Sequence, residues 1–370
     1  MRKRTFTICY ALYPLSLLYW AVTAVRNKLF DLGVLRSCRF VVPVISVGNI
    51  TVGGTGKTPH TEYIVRLLLP RFRTAVLSRG YKRKTKGFVL ADETVTAEDI
   101  GDEPYQMAKK FPQLTVAVDA DRRHGISRLL HDVDAIVMDD AFQHRYVAPG
   151  LSILLIDSHR PVWQDTLLPA GRLRESVAGM RRADIIIVSK CPDGMTLEEM
   201  DEIMEKVNPH EGQSVFFTTL RYGRLKPLSS QRAGTRSLDS LARDEEVLLV
   251  TGIASPDAII RELKTRVDKV VSLAFGDHHD FTSHDVMKMR LELGKLAEGR
   301  RMIVTTEKDA ARLAGRDDID DEMTKDIYVL PVEVAFLGNG QKMFNQTIIE
   351  YVRENTRDSS FLERKDAHTA

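Results

Sequence analysis

The 370-residue chain has only three cysteines, Cys9, Cys38 and Cys191. They lie far apart and form no C-x-x-C pair. That argues against a disulfide framework or a cysteine zinc site and fits a reducing compartment. Net charge is nearly absent, since 53 Lys and Arg against 51 Asp and Glu leave +2 at neutral pH. Global charge therefore selects no partner, and electrostatic recognition must come from local clusters. Internal repeats are lacking too, which removes repeat architectures. One stretch has no charge at all: from Phe6 to Val25 there is no Asp, Glu, Lys or Arg.

That uncharged run has basic residues on both sides, Arg2, Lys3 and Arg4 before it and Arg26 and Lys28 after it. It lacks a convincing cleavage site for a secretory signal. Its length, roughly 20 residues, is enough to cross a bilayer. Cations at both ends select no orientation, whereas Trp20 and the tyrosines suit the headgroup zone and Pro14 would kink a helix. We read residues 1–35 as a membrane-associating helical segment, lying in the interface rather than crossing it. The competing reading is a first helix buried against the core.

The rest has an ordinary globular composition, 43% hydrophobic and 28% charged, at a length that suits two domains. Short apolar runs recur at 41–47, 74–78, 114–118, 134–138, 151–156 and 184–189. They are continuous rather than alternating, as expected of parallel strands covered on both faces. Helical patterns at 102–110 and 122–131 separate them. The fold class is therefore α/β, a parallel sheet flanked by helices. A polar, turn-rich segment at 219–245 reads as a linker, closing a first domain at 36–218. Further strand and helix patterns predict a second, smaller α/β domain at 246–338. A C-terminal helix over 339–355 and a polar tail over 356–370 follow.

The stretch "GNITVGGTGKTPH" joins the first apolar run to a helical pattern. Gly53, Gly54 and Gly56 allow backbone amides to converge on phosphate oxygens, and the helix that follows presents its positive end. In this register Lys57 reaches the β- and γ-phosphates and Thr58 holds Mg²⁺. The loop from Thr51 through Val52, Gly53, Gly54, Thr55 and Gly56 to Lys57 and Thr58 is thus the predicted nucleotide site. It departs from G-x-x-x-x-G-K-[ST] at its first position, where Thr51 replaces glycine. Val52 stands where partitioning-type membrane ATPases carry a signature lysine, which counts against that group. Asp139 and Asp140 close a buried apolar run, the usual place for a carboxylate that binds Mg²⁺ in phosphate-loop enzymes. "VSKCPD" resembles a guanine-reading motif, but its aspartate falls one residue late.

Five more clusters sit where strand-like runs end or helices begin: "SRGYKRK" (78–84), "GDEP" (101–104), "PAGRLRES" (169–176), "FGDHHDF" (275–281) and "TTEKDAAR" (305–312). In open α/β sheets ligands bind beyond the carboxyl ends of strands. Any one of these could be a solvated loop; all five together point to a site.

With "SVGNITVGGTGKTP" and "DDAFQHR", these motifs resemble the tetraacyldisaccharide 4′-kinase family of lipid A biosynthesis, in the family's order from about residue 40 to 313. The N-terminal segment matches as well. The family's phosphate loop opens with Ser or Thr, so Thr51 fits. The resemblance implies transfer of the ATP γ-phosphate to the 4′-hydroxyl of a tetra-acylated glucosamine disaccharide 1-phosphate, giving lipid IVA, with ATP and Mg²⁺ as cofactors. It implies work at the cytoplasmic face of the bacterial inner membrane, on a glycolipid and not on nucleic acid. It assigns the general base to Asp102, assisted by His278, with His279 the less favoured bearer. Arg174 and Glu175 fall near the nucleotide and the reacting phosphate. Arg79 and Tyr81 fall near the substrate, with Asn49 and Gln143 also on the substrate side. If Asp102 belongs to the first domain and His278 to the second, closure about the linker would complete the site. The alternative from another class is a membrane-recruited switch ATPase with no lipid acceptor.

Overall fold

The continuous apolar runs become parallel strands. In the computed structural model, which describes residues 9–228, 234–253, 256–276, 279–314 and 316–366 (side chains to residue 356), the first eight strands are β1 (Val44–Gly48), β2 (Thr74–Ser78), β3 (Val89–Leu90), β4 (Thr115–Val118), β5 (Ala135–Asp139), β6 (Leu151–Asp157), β7 (Ile185–Ser189) and β8 (Ser214–Tyr222). They are followed by β9 (Lys226–Pro227), β10 (Glu246–Thr251), β11 (Lys269–Ala274), β12 (Arg301–Thr306), β13 (Ile327–Leu330) and β14 (Val332–Phe336). The helices are α1 (Tyr13–Asp31), α2 (Lys57–Leu68), α3 (Ala97–Ile100), α4 (Asp102–Lys110), α5 (Arg122–Leu129), α6 (Leu197–Val207), α7 (Asp257–Lys264), α8 (Ser283–Gly294), α9 (Glu307–Leu313), α10 (Asp321–Asp326) and α11 (Gly340–Asp366).

The chain divides into two compact units, one of Met1–Ile100, Phe111–Leu220 and Val334–Ala370, the other of Gly101–Lys110 and Arg221–Glu333. The first unit holds a nine-stranded sheet in the order β14-β8-β7-β6-β1-β5-β2-β4-β3. Its pairings from β4 through β2, β5, β1, β6 and β7 to β8 are parallel, and β3 adds an antiparallel edge. β1, β2, β5, β6 and β7 are buried along their whole length, as continuous Val/Ile/Leu runs require. β1 lies between β5 and β6, and Val47 pairs with Asp139. The loop after β1 is thereby set beside the carboxyl ends of both neighbours. The second unit holds a five-stranded sheet, β11-β10-β12-β13-β9, parallel except at β9.

Three features differ from the sequence expectation. Gly101–Lys110, read there as part of the first domain, groups with the second unit. Two ion pairs bind α4 to α9: Asp102 with Arg312, and Lys110 Nζ with Glu307 Oε1 at 2.5 Å. Asp102 and the loop bearing His279 thus belong to one unit, and the premise that closure brings Asp102 and His278 together from different domains does not hold. Next, the strand pattern "DIYVLPVEV" (326–334), which counts as one strand within the second domain expected at 246–338, is split in two. Pro331, which has no N–H to donate, separates β13 in the small sheet from β14 in the large one. Finally, α11 runs to Asp366 rather than ending near 355, and it contributes to the first unit through Tyr351, whose hydroxyl donates to the Val44 carbonyl at 3.2 Å.

Candidate functional site

The phosphate loop opens with a short antiparallel pairing that accounts for Thr51. Thr51 bridges Leu173, Val52 N–H donates to the Arg172 carbonyl at 2.8 Å, and Arg174 N–H donates to the Ile50 carbonyl at 2.8 Å. A residue in this extended ladder needs no glycine, and Thr51 is buried there with its hydroxyl 3.3 Å from the Arg172 carbonyl. The Val52 amide is engaged in the same ladder, and Gly53 follows it. Gly53 and Gly56 have φ of +100° and +82°, a region that side chains rarely adopt, and Gly56 caps α2 in that conformation. Lys57 and Thr58 then lie in the first turn of the 12-residue helix. Asn49 is fully buried at the strand end, its amide donating to Thr55 Oγ1 at 2.8 Å.

Asp139 ends β5 and is 1% exposed. It accepts a hydrogen bond from Thr61 Oγ1 of α2 at 2.9 Å. Asp140 follows with φ of +47°, a left-handed conformation uncommon outside glycine and found at functional sites. Its carboxylate lies 3.6 Å from Lys57 Nζ and accepts both bonds of Arg174 Nη1, at 2.9 and 3.1 Å. Burial opposes ionisation of Asp140. The nearby Lys57 and Arg174 outweigh it and hold the carboxyl below its ordinary range.

The network continues through Gln143. Its amide donates to the Asn49 carbonyl at 2.7 Å and to Glu175 Oε1 at 2.8 Å, and its oxygen lies 3.4 Å from Arg174 Nη1. Glu175, 4% exposed, also pairs with Arg182 at 2.8 Å. Lys57, Asp140, Arg174, Gln143, Glu175 and Asn49 thus form one connected set. α1 is tied to it from outside: Tyr19 Oη donates to the Arg174 carbonyl at 2.8 Å, and Arg26 Nη2 donates to the Gln143 carbonyl at 2.9 Å. Arg79 is exposed at the end of β2, and Tyr81, beside it, is 63% exposed.

In the second unit Arg312 gathers three motifs. It pairs through Nε, at 2.9 Å, and Nη2 with the two carboxylate oxygens of Asp102, and through Nη1 it donates to the His279 carbonyl at 2.9 Å. His279 bonds Asp285 Oδ2 through Nε2 at 2.9 Å and stacks on Phe275 with ring centroids 4.6 Å apart. That engagement fits a structural role for His279. His278, the other candidate for assisting the base, lies outside the described residues.

The Tetraacyldisaccharide-1-P 4′-kinase family model matches residues 8–353. The chain belongs to this family. A tetraacyldisaccharide 4′-kinase of Bacteroides fragilis is 53% identical over the whole of both chains. Another, of Flavobacterium johnsoniae, is 43% identical over 93% of this chain and 97% of its own. Among solved structures, LpxK from Aquifex aeolicus in complex with ATP superposes with a TM-score of 0.70 at 32% identity, covering 92% of this chain and 98% of that one.

Within this kinase family member, two groups near the loop escaped the sequence reading. Arg122, 4% exposed at the start of α5, is a buried cation whose charge is favoured by Asp140, Asp139 and Asp119; burial, and then Arg79, push its pKa down to about 10. Its signal was "DADRR" directly after a strand-like run. The second group, Asp157 with Arg160 and Lys190, contacts the phosphate loop itself. Its signal was a strand-end aspartate together with "SKCPD", which was weighed only as a base-reading motif.

Proposed function

We propose the following division of labour for this ATP-dependent tetraacyldisaccharide 4′-kinase. The observation that carries it is the connected set from Lys57 through Asp140, Arg174 and Gln143 to Glu175, built around a phosphate loop of the right register. Amides from Gly53 to Thr58 and the positive end of α2 bind the nucleotide phosphates. Lys57 and Arg174 supply positive charge to the transferring phosphoryl group, where charge neutralisation and positioning do most of the catalysis. Asp140 keeps both cations aligned before the nucleotide arrives. Gln143 and Asn49 orient the acceptor side, with Arg79 and Tyr81 as further substrate contacts.

The donor set suits Mg²⁺. Thr58 offers a hydroxyl and Asp139 a strand-end carboxylate, while among the described residues no three His, Cys, Asp or Glu side chains could hold a metal by themselves. Such a set holds the ion together with nucleotide phosphates, as Mg²⁺ prefers. When bound, the ion neutralises charge on the phosphate oxygens. Asp139 is the carboxylate we assign to it, because Asp140 is occupied by Lys57 and Arg174.

Asp102 accepts the proton of the sugar hydroxyl, and His278 assists it. The bidentate pair with Arg312 orients Asp102. The acceptor is a glycolipid, which stays in the bilayer and brings the enzyme to the cytoplasmic face of the inner membrane. α1 supports that placement. Leu15, Leu17, Leu18, Trp20, Val22 and Val25 are 49–63% exposed on it, while Ser16 is buried against the protein. No described helix is long and apolar enough to cross a membrane. The exposed apolar residues support a reading in which α1 lies on the bilayer surface with its apolar side down.

The test of this assignment is Asp102→Ala in single turnover. Phosphoryl transfer falls by a factor of about 10² or more, typical of a lost general base, and ATP binding stays intact. Unchanged transfer would remove Asp102 from the mechanism, whereas ATP hydrolysis with no lipid product, indifferent to Asp102, would favour the switch-ATPase reading.

A further inference from the structure

Amides of the phosphate loop can face a nucleotide only if the loop carbonyls face away from it. Three successive carbonyls are tied by side chains. Gly54 O accepts from Arg160 Nη2 at 3.3 Å and from Lys190 Nζ. Thr55 O accepts from Ser189 Oγ at 2.7 Å. Gly56 O lies 2.7 Å from His60 Nδ1, and the other ring nitrogen of His60 lies 3.0 Å from Thr218 Oγ1.

The Gly54 tie depends on one carboxylate. Asp157, the last residue of β6, is 2% exposed. It accepts from Arg160 Nη2 at 3.0 Å and from Lys190 Nζ at 2.9 Å, so both cations that hold Gly54 O are themselves held by Asp157. The register makes this possible: Asp157 pairs with Ser189, and Lys190 leaves β7 directly beside it. Lys190 takes a left-handed φ of +58°, and its carbonyl accepts from Ser158 Oγ at 2.8 Å. Burial disfavours the charged form of Asp157, but hydrogen bonding from His159, the charge and hydrogen bond of Lys190 and the hydrogen bond of Arg160 reverse this and hold its carboxyl far below the ordinary range. Arg160 Nη1 would also lie 3.3 Å from a Cβ added at Gly53, so the guanidinium packs against the first glycine of the nest.

We propose that Asp157, Lys190 and Arg160 form a clamp that positions the phosphate loop for ATP, with Asp157 setting both cations on the Gly54 carbonyl. The three are positioning residues; they act through loop geometry. The proposal rests on reading Gly53–Thr58 as the ATP site. It deepens that reading by naming what keeps the loop in its binding-competent shape.

The experiment compares steady-state kinetics of Asp157→Asn, Lys190→Met, Lys190→Arg and Arg160→Ala, with Lys57→Ala as the control for the ATP site. Melting temperatures are recorded with and without ATP. Asp157→Asn and Lys190→Met should raise KM for ATP about tenfold while KM for the lipid acceptor changes less than about twofold, the pattern of a lost binding contribution to one substrate. Lys190→Arg, which keeps a donor for both Asp157 and Gly54, should stay within about threefold of the parent enzyme. The ATP-induced rise in melting temperature should shrink in step with KM. Side chains of Arg160 and Lys190 are 37% and 29% exposed, so their variants carry the test if Asp157→Asn does not fold. An unchanged KM for ATP in the clamp variants, with Lys57→Ala strongly impaired, would overturn the clamp alone. Equal losses for both substrates together with a lower melting temperature would show a merely structural role and overturn it too. Normal ATP kinetics in Lys57→Ala would overturn the reading of the loop and the clamp with it.

Discussion

At the scale of single residues, the site is organised by opposite charges held close together. Asp140 shows this best, with Lys57 at 3.6 Å, Arg174 at 2.9 Å and a left-handed backbone. Asparagine tolerates that conformation, so Asp140→Asn removes the charge without straining the chain. We expect kcat to fall by about 10²-fold, as for loss of one preorganised electrostatic partner, with the fold intact by circular dichroism. A fall of less than threefold would show that Asp140 does not align the two cations. His60 allows a pH prediction. Burial lowers its pKa from 6.5 to about 4, so the folded protein keeps it neutral while the unfolded chain takes up a proton near 6.5. Its contribution is therefore present above pH 6.5 and is lost as pH falls towards 4, on the order of 3 kcal/mol over the window. Urea denaturation across pH 4–7 should show this loss, and His60→Asn should flatten it.

At the scale of elements, α1 and α4 each couple a surface feature to the chemistry. α1 exposes Leu15, Leu18 and Val22 while Tyr19 and Arg26 hold the Arg174 and Gln143 carbonyls. Changing those three exposed residues to serine should release the protein from lipid vesicles in a flotation assay and lower turnover of bilayer-embedded lipid, with KM for ATP unchanged. Retained flotation would place the membrane contact elsewhere. For α4, Arg312→Ala removes the bidentate partner of Asp102 and a donor to the His279 carbonyl. Breaking a buried pair costs about 3–5 kcal/mol, and amides of 101–110 should exchange faster in hydrogen-exchange mass spectrometry. These two elements also mark where sequence reading stopped. β2 matches its apolar run at 74–78 residue for residue, because continuous burial leaves a local signature. The phosphate loop is equally local. The pairing of Asp102 with Arg312 is not, since the partners lie 210 positions apart. No periodicity announces it, and α4 was read with the wrong unit for that reason. Asp157 and Lys190 were missed on the same ground. Each is an ordinary loop charge until the β6–β7 register sets them side by side.

At the scale of the whole molecule, a unit with a nine-stranded sheet and the glycine-rich loop after β1 and a smaller unit bearing Asp102 belong to one kinase chain, matched by its family over residues 8–353. The switch-ATPase alternative shares the loop and α1 but has no use for Asp102, so the fate of the γ-phosphate separates the two. The decisive measurement is mass spectrometry and phosphorus NMR of the lipid recovered after incubating the full chain with ATP, Mg²⁺ and tetraacyldisaccharide 1-phosphate in detergent. The account predicts one added phosphate, on the 4′-hydroxyl, formed in step with ADP. Release of ADP and inorganic phosphate with the lipid unchanged would contradict it.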